Sequence, residues 1–323
     1  MTSDTPIPRQ AFDLAEAAKT VETIHDLVRV GVSAFTAANL SYGHGTSGAY
    51  DESVALVLWA LHLPPDSPDI LFAARVTPAE TALSIQAMTS RINSRAPLGY
   101  ITGETWFRGL RFLSDRRALI PRSLLVEAMQ ESLTDWLEIH QPEWFDLPLQ
   151  DRNILDLCTG GGSVAIHAAL QFPSAAVTAV DIDAQALALC RENLALHNLS
   201  EQVVLCQSDL FDKVTAPARF DLVLSNPPYV PTASMARLPD EFQAEPEIAL
   251  AAGTDGMQVI KNILTQTTDR LTPDGLLILE IGHQIDDFLA AFPGLSFAAL
   301  AVDAGDEMIL LMTSDQLREA AIQ

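Results

Sequence analysis

The sequence predicts an α/β protein: a doubly wound, mainly parallel sheet with an antiparallel last strand, preceded by a small helical domain and a linking β-hairpin. Three observations predict it. From Asn153 onward, short apolar runs alternate with helical stretches, the rhythm of a parallel sheet covered on both faces. The first run turns into its helix through Asp156-Leu157-Cys158-Thr159-Gly160-Gly161-Gly162, where glycines permit positive φ and close approach of a ligand. The fourth run, Phe220 to Leu224, stops at Asn226-Pro227-Pro228-Tyr229, at the strand end where open sheets keep their ligand crevice.

The elements follow in order. A chain of 323 residues with 48% hydrophobic content can bury a large core, and its texture divides it at residues 1–95, 96–120 and 121–323. In the first part Leu14, Ala17, Val21, Ile24, Leu27 and Val28 recur at helical spacing, which predicts a helix from Phe12 to Phe35. A second helix is expected from Asp51 to Leu63, stopped by Pro64 and Pro65. Thr77-Pro78-Ala79-Glu80 reads as an N-cap with proline at the first helical position, opening a helix toward Arg95. Tyr100 to Leu119, with Gly103, Gly109 and the aromatics Trp106, Phe107 and Phe112, reads as the hairpin. A helix follows Arg122 to about Ile139, then a proline-broken connector from Gln141 to Asp151. Strands are expected at Ile154–Leu157, Ala176–Val180, Val203–Gln207, Phe220–Leu224 and Gly275–Ile281, with Ser296–Val302 and Glu307–Met312 as a closing antiparallel pair.

Composition narrows the function. Residues 121–323 carry 9 basic and 30 acidic side chains, and the whole chain has a net charge of −23. Phosphate binding needs clustered Lys and Arg, so a nucleic-acid partner is disfavoured and a basic protein partner suits this surface. Arg108, Arg111, Arg116 and Arg117 do cluster in the hairpin region, where pairing with the acidic body is expected. Cys158, Cys190 and Cys206 form no C-x-x-C pair, which excludes a disulfide framework and a zinc site. The seven histidines show no metal-ligand spacing and read as surface or helix-end residues. No apolar run reaches the roughly 18 residues of a membrane span, and Met1-Thr2-Ser3-Asp4 opens no signal peptide. A cytoplasmic location is expected.

The residues at the strand ends carry the chemistry. Asn226 offers a side-chain carbonyl, and Pro227 a backbone carbonyl with no N–H of its own. Two fixed acceptors can hold both hydrogens of a planar NH₂ group while Tyr229 supplies a face to stack on it. Pro228 stiffens the loop, since prolines cannot continue a ladder. Asp181, ending the second strand, can accept from both hydroxyls of a ribose. Ser208-Asp209-Leu210, ending the third, can bond and pack an adenine. These features, and Gly160-x-Gly162-x-x-Ala165, suit NAD as well as S-adenosylmethionine. Asp156 favours the latter, because a carboxylate there suits the cationic amino end of a methionine and repels a pyrophosphate.

With these motifs in view, the chain resembles the HemK-type protein glutamine methyltransferases over nearly its whole length, and within them the branch acting on ribosomal protein L-three. Asn226 to Tyr229 stands for the family's N-P-P-Y, and Asp156 to Gly162 for its glycine motif. Tyr100 to Phe107 and Ile120-Pro121-Arg122 through Glu127 match its linker. Cys158, Trp106 and Ser123 resemble the ribosomal-protein branch, whereas Gly161-Gly162 and Gln243-Ala244 depart from it. The resemblance implies a Rossmann-like class I methyltransferase domain behind a helical substrate-recognition domain. It further implies methyl transfer from S-adenosyl-L-methionine, leaving S-adenosyl-L-homocysteine, to a glutamine amide nitrogen of that ribosomal protein, free or in an assembly intermediate. Asn226, Pro227 and Tyr229 would be catalytic. Asp156, Cys158, Thr159, Gly160, Gly162, Asp181, Ile182, Ser208, Asp209, Leu210 and Asn226 would hold the cofactor. Phe107, Arg122, Pro228 and Glu245 would join Asn226, Pro227 and Tyr229 against the substrate. A peptide chain release factor as target, a nucleic-acid adenine methyltransferase and an NAD-binding oxidoreductase are the alternatives.

Overall fold

The computed structural model describes residues 12–145, 152–215 and 219–320. It divides into two compact units: Met1–Gly103 with Pro239–Ala244, and Glu104–Leu238 with Glu245–Gln323.

The first unit is helical: α1 (Leu14–Ala18), α2 (Ile24–Ala37), α3 (Ala49–Ala60), α4 (Pro78–Ser94) and α5 (Leu98–Thr102). The single helix expected from Phe12 to Phe35 is two. Thr23 and Asp26 close a capping box, the Thr23 N–H donating to Asp26 Oδ2 at 2.9 Å and the Asp26 N–H to Thr23 Oγ1 at 3.2 Å, so α2 starts afresh. Thr77 and Glu80 cap α4 in the same way, with Pro78 at its first turn. Leu27, Phe35, Leu56 and Met88 form the centre of the core. Tyr100, expected to open the hairpin, lies in α5, which packs on α3 and α4 and carries the unit past residue 95. Arg91 of α4 is fully buried and is neutralised by Glu52 of α3 at 2.6 Å and by Glu241 of the Pro239–Ala244 segment at 3.3 Å. A charge so deep persists only with such partners.

The second unit opens with the hairpin β1 (Glu104–Phe107) and β2 (Leu110–Leu113), turned through Arg108 and Gly109, both at positive φ as a two-residue loop requires. A helix then runs through α6 (Leu124–Glu127), a π turn (Ala128–Ser132) and α7 (Leu133–His140). Of the expected connector, residues 146–151 lie outside the described residues. The remaining elements are β3 (Asn153–Leu157), α8 (Ser163–Gln171), β4 (Ala176–Asp181), α9 (Ala184–Leu196), β5 (Val203–Gln207), β6 (Phe220–Ser225), β7 (Leu271–Glu280), β8 (Ala298–Val302) and β9 (Gly305–Thr313). The helices Thr232–Met235, Gln258–Thr267, Ile285–Ala291 and Ser314–Glu319 belong to the same unit.

The seven strands lie in the order β5-β4-β3-β6-β7-β9-β8, with β9 antiparallel to both its neighbours. The chain enters at β3, winds out through β4 and β5, then crosses back to β6. The winding therefore reverses between β3 and β6, and a crevice opens at their C-terminal ends. β7 starts at Leu271 rather than Gly275, running through Pro273 across a pairing irregularity, the place a strand tolerates proline. Alternation sorts the core: Leu222 and Leu224 join Ile154 and Ile278 on one face, Val223 joins Leu155, Leu157 and Leu277 on the other. β6 is buried at every position, so Leu222→Ala would cost about 2–5 kcal/mol.

Candidate active site

The end of β3 is shaped from within. Cys158 sits at φ 60°, Gly160 at 55° and Gly162 at 86°. The Thr159 hydroxyl donates to Asp156 Oδ2 at 2.5 Å, and the Ala165 N–H donates to the same oxygen at 3.0 Å. Burial pushes the Asp156 carboxyl up to about 7 against these two hydrogen bonds. Glycine at 162 also serves packing: a Cβ there would stand 2.4 Å from Cys190 Sγ of α9, so one of the two would have to shift. Asn193, also on α9, donates from Nδ2 to Gly161 O at 2.9 Å and Leu113 O at 3.2 Å, and its Oδ1 accepts from the Leu113 N–H at 2.7 Å. One amide thus joins the hairpin to the glycine turn. Nothing in the local pattern around Asn193 marks it for that place.

The next two strand ends add acids and a strained turn. Asp181 receives the Gly160 N–H at 2.8 Å on one carboxylate oxygen and the Asp183 N–H at 2.9 Å on the other, and burial raises its pKa. Beyond β5, the Ser208 N–H donates to Asp181 O at 3.0 Å and Leu210 adopts φ 45°. Two non-glycine residues at positive φ, Cys158 and Leu210, therefore flank one crevice, where such strain tends to collect.

The end of β6 is shaped from outside. The Ser225 hydroxyl donates to Leu157 O at 3.0 Å, tying the strand to β3. Val230 N–H donates to Leu250 O and accepts at its carbonyl from Ala252 N–H, both at 2.9 Å. Tyr229 is gripped by two glycines. A Cβ on Gly256 would stand 2.4 Å from the Tyr229 carbonyl oxygen, and one on Gly282 between 2.9 and 3.1 Å from its ring and hydroxyl. Burial, with the nearby Glu280 carboxyl, pushes the Tyr229 hydroxyl well above its ordinary pKa.

A cavity of about 320 Å³ gathers these ends and is lined by Cys158, Gly160, Asp181, Ile182, Ser208, Asp209, Leu210, Asn226 and Pro228. A smaller one of about 40 Å³ is lined by Thr159, Arg122 and Ser123 and shares Cys158, Gly160 and Asn226 with the first. The Asn226 side chain forms no hydrogen bond among the described residues, so its amide is available where the two cavities meet. A larger cleft of about 450 Å³ beside Met257, Lys261 and Phe292 contains none of the strand ends. Asp156, Gly162, Pro227 and Tyr229 are not among the residues lining the two joined cavities, though each is bonded in sequence to one that is or lies within one turn of it.

Phe107, Arg122 and Glu245 complete the expected substrate set. Phe107 lies edge-on to His167 at 5.5 Å and lines neither cavity. His167 is itself buried rather than superficial, and burial lowers its pKa to about 4. Arg122 forks onto Glu245 through two contacts of 2.6 Å, and Glu245 also receives the Ile120 N–H at 3.1 Å. Among the hairpin arginines, Arg108 pairs with Glu127 and Glu131, Arg111 with Glu104, and Arg117 with Asp115 and Glu192, as expected of these three.

The methyltransferase small domain family matches residues 143–253. The chain is 44% identical to the ribosomal protein uL3 glutamine methyltransferase of Bordetella pertussis, over 92% of this chain and 97% of that one. It is 40% identical to the protein of the same name from Burkholderia pseudomallei, over 93% and 97%. The chain belongs to the ribosomal protein uL3 glutamine methyltransferases. A solved T. thermophilus 16S rRNA N2 G1207 methyltransferase in complex with AdoMet and guanosine is similar to 65% of this chain and 49% of that one, at TM-score 0.43 and 20% identity. S-adenosylmethionine is the cofactor. The site fits it: the cavity of about 320 Å³ has the size of a small-molecule pocket and is lined by the acids Asp181 and Asp209 and the apolar Ile182 and Leu210.

Proposed function

We propose that this enzyme methylates the side-chain amide nitrogen of a glutamine in large-subunit ribosomal protein uL3. In this reading Asp181 holds the ribose, Ser208, Asp209 and Leu210 hold the adenine, Ile182 packs beside it, and Cys158 to Gly160 receive the methionine end. Asp156 and Gly162 keep the glycine turn in shape. The substrate amide lies where the cavities meet, with the Asn226 side chain and the Pro227 carbonyl as acceptors for its hydrogens, Tyr229 as the face it stacks on, Pro228 on the wall, and the Arg122–Glu245 pair closing that wall. Phe107 contributes from the hairpin side. The helical unit recognises the protein substrate, free or in an assembly intermediate, in the cytoplasm and without direct nucleic-acid binding.

An amide nitrogen is a poor nucleophile because its lone pair is delocalised; the related peptide bond has a rotation barrier of about 18–20 kcal/mol. The bound cofactor supplies an electrophilic methyl carbon. The protein's part is orientation, which can contribute roughly 7–11 kcal/mol. As positive charge grows on nitrogen its hydrogens become better donors to Asn226 and Pro227, so these hydrogen bonds strengthen toward the transition state.

The observation that carries this reading is the unpaired Asn226 amide at the junction of the two cavities. The test incubates the enzyme with labelled S-adenosylmethionine and, separately, uL3, a peptide release factor or nucleic acid, and maps the label by peptide mass spectrometry. One methyl group on a uL3 glutamine is expected. Label confined to the release factor or nucleic acid overturns the assignment.

A further inference from the structure

Methyl transfer from a sulfonium does not create charge; it moves a positive charge from sulfur to the amide nitrogen. A site that carries negative charge on the nitrogen side lowers the barrier to that movement, most strongly where water is excluded. Glu280 stands on that side. It ends β7, one residue past the Ser225–Leu279 pairing that sets β7 beside β6, so it lies next to the strand end carrying Asn226. It is 5% exposed, and Ser123 Oγ donates to its Oε2 at 2.5 Å. Ser123 lines the smaller cavity together with Asn226. Two residues beyond Glu280, Gly282 lies against the Tyr229 ring.

Resting on the methyl-transfer reading, we propose that Glu280 in its ionised form is the counter-charge for the amide nitrogen, a positioning residue acting through Ser123 rather than by touching substrate. The groups facing it are few. Arg122 favours its anion but is forked onto Glu245. The loop after β6 contributes the Tyr229 hydroxyl, α6 the N–H groups of Leu124 and Leu125, and β9 the apolar Ile309. Burial outweighs these hydrogen bonds and pushes the carboxyl up to about 7, so the group changes charge at neutral pH.

The folded-state pKa is raised, so the active, ionised form is lost as pH falls through it, and kcat in wild type rises with pH across about 6 to 8. Glu280→Gln keeps the shape and the acceptor for Ser123. It is expected to lower kcat about 10-fold to 100-fold and to flatten this rise, with calorimetric affinity for S-adenosylhomocysteine unchanged and, since the wild-type carboxyl ionises against burial above neutral pH, a melting temperature no lower than that of wild type. Ser123→Ala removes a hydrogen bond that favours the anion, so the inflection moves to higher pH. Infrared spectroscopy of the protein alone with isotope-labelled glutamate carboxyls, which separates Glu280 from the Asp156 carboxyl that titrates in the same range, provides a second readout: a labelled protonated-carboxyl band that titrates near neutral pH and is absent in Glu280→Gln. A Glu280→Gln enzyme with wild-type kcat and the same inflection overturns the proposal. So does one whose only defect is a lower melting temperature, which would make Glu280 a helix cap. A wild-type enzyme that methylates no glutamine overturns both this inference and the reading beneath it.

Discussion

The two loops that meet at Asn226 are built on opposite plans. The glycine turn after β3 is held by its own residues: Asp156 takes Thr159 and Ala165, and Gly162 N–H donates to Thr159 O at 2.9 Å. The loop after β6 is held by enclosure, with Gly256 on the Tyr229 carbonyl, Gly282 under its ring, and Val230 stitched to Leu250 and Ala252. A loop fixed by internal hydrogen bonds keeps its shape when its surroundings change. A loop fixed by steric enclosure takes its geometry from segments far along the chain. The first plan suits a common cofactor, the second a reacting amide whose orientation must be exact to within a fraction of an ångström.

If the plans are separate, damage to one loop should spare the other. The largest effect is expected from Asn226→Ala, which deletes an acceptor that strengthens in the transition state. Its kcat should fall about 10²–10³-fold, roughly 2.7–4 kcal/mol, the range for losing one preorganised group. Calorimetry should show S-adenosylhomocysteine bound as in wild type, because the remaining strand ends still line the larger cavity. An equal loss of cofactor affinity would break the comparison.

The glycine turn has its own signature, in stability. Asp156 is held with a pKa near 7 against an ordinary 3.8, so the native state keeps a proton that the unfolded state has lost between those values. Its contribution therefore falls as pH rises through that window and is constant above it. Asp156→Asn removes the ionisable group, so the variant should gain on wild type by about 2 kcal/mol between about pH 5.5 and pH 8. Denaturant unfolding at the two pH values measures it. A difference independent of pH would mean that Asp156 ionises freely and the turn is not built around a protonated acid.

This division also explains what could be read from the chain beforehand. The strand ends, the glycine turn and the N-P-P-Y loop were legible because each is written in consecutive residues whose backbone limits are intrinsic. Thr77-Pro78-Ala79-Glu80 was legible for the same reason. The break between α1 and α2 carried an equally local sign, Thr23 with Asp26 three residues on, that the apolar periodicity running through it concealed. Asn193, Glu280, Gly256 and Gly282 had no such sign. Asn193 reaches Leu113 from 80 residues away, Ser123 reaches Glu280 across 157, and Arg91 finds Glu241 across 150. Such partners become visible only when the sheet order sets them side by side.

The smallest expected effects sharpen the comparison most, because the same substitution can be made in both loops. Gly162 and Gly282 both sit at positive φ, 86° and 55°, so an alanine at either costs about 1–2 kcal/mol of stability from the backbone alone. The new methyl then meets different neighbours. In Gly162→Ala it strikes Cys190 Sγ and displaces the start of α8 from α9, which disturbs the turn beside the larger cavity. In Gly282→Ala it strikes the Tyr229 ring. Equal losses in thermal unfolding should therefore split in function: weaker S-adenosylhomocysteine binding with kcat nearly retained for Gly162→Ala, and lower kcat with unchanged binding for Gly282→Ala. Adding Tyr229→Ala should leave the Gly282→Ala kcat defect without further effect, since the ring it displaces is gone, while the Gly162→Ala binding defect should persist in full. Additive kcat losses for Gly282→Ala and Tyr229→Ala would show that Gly282 works through something other than the tyrosine.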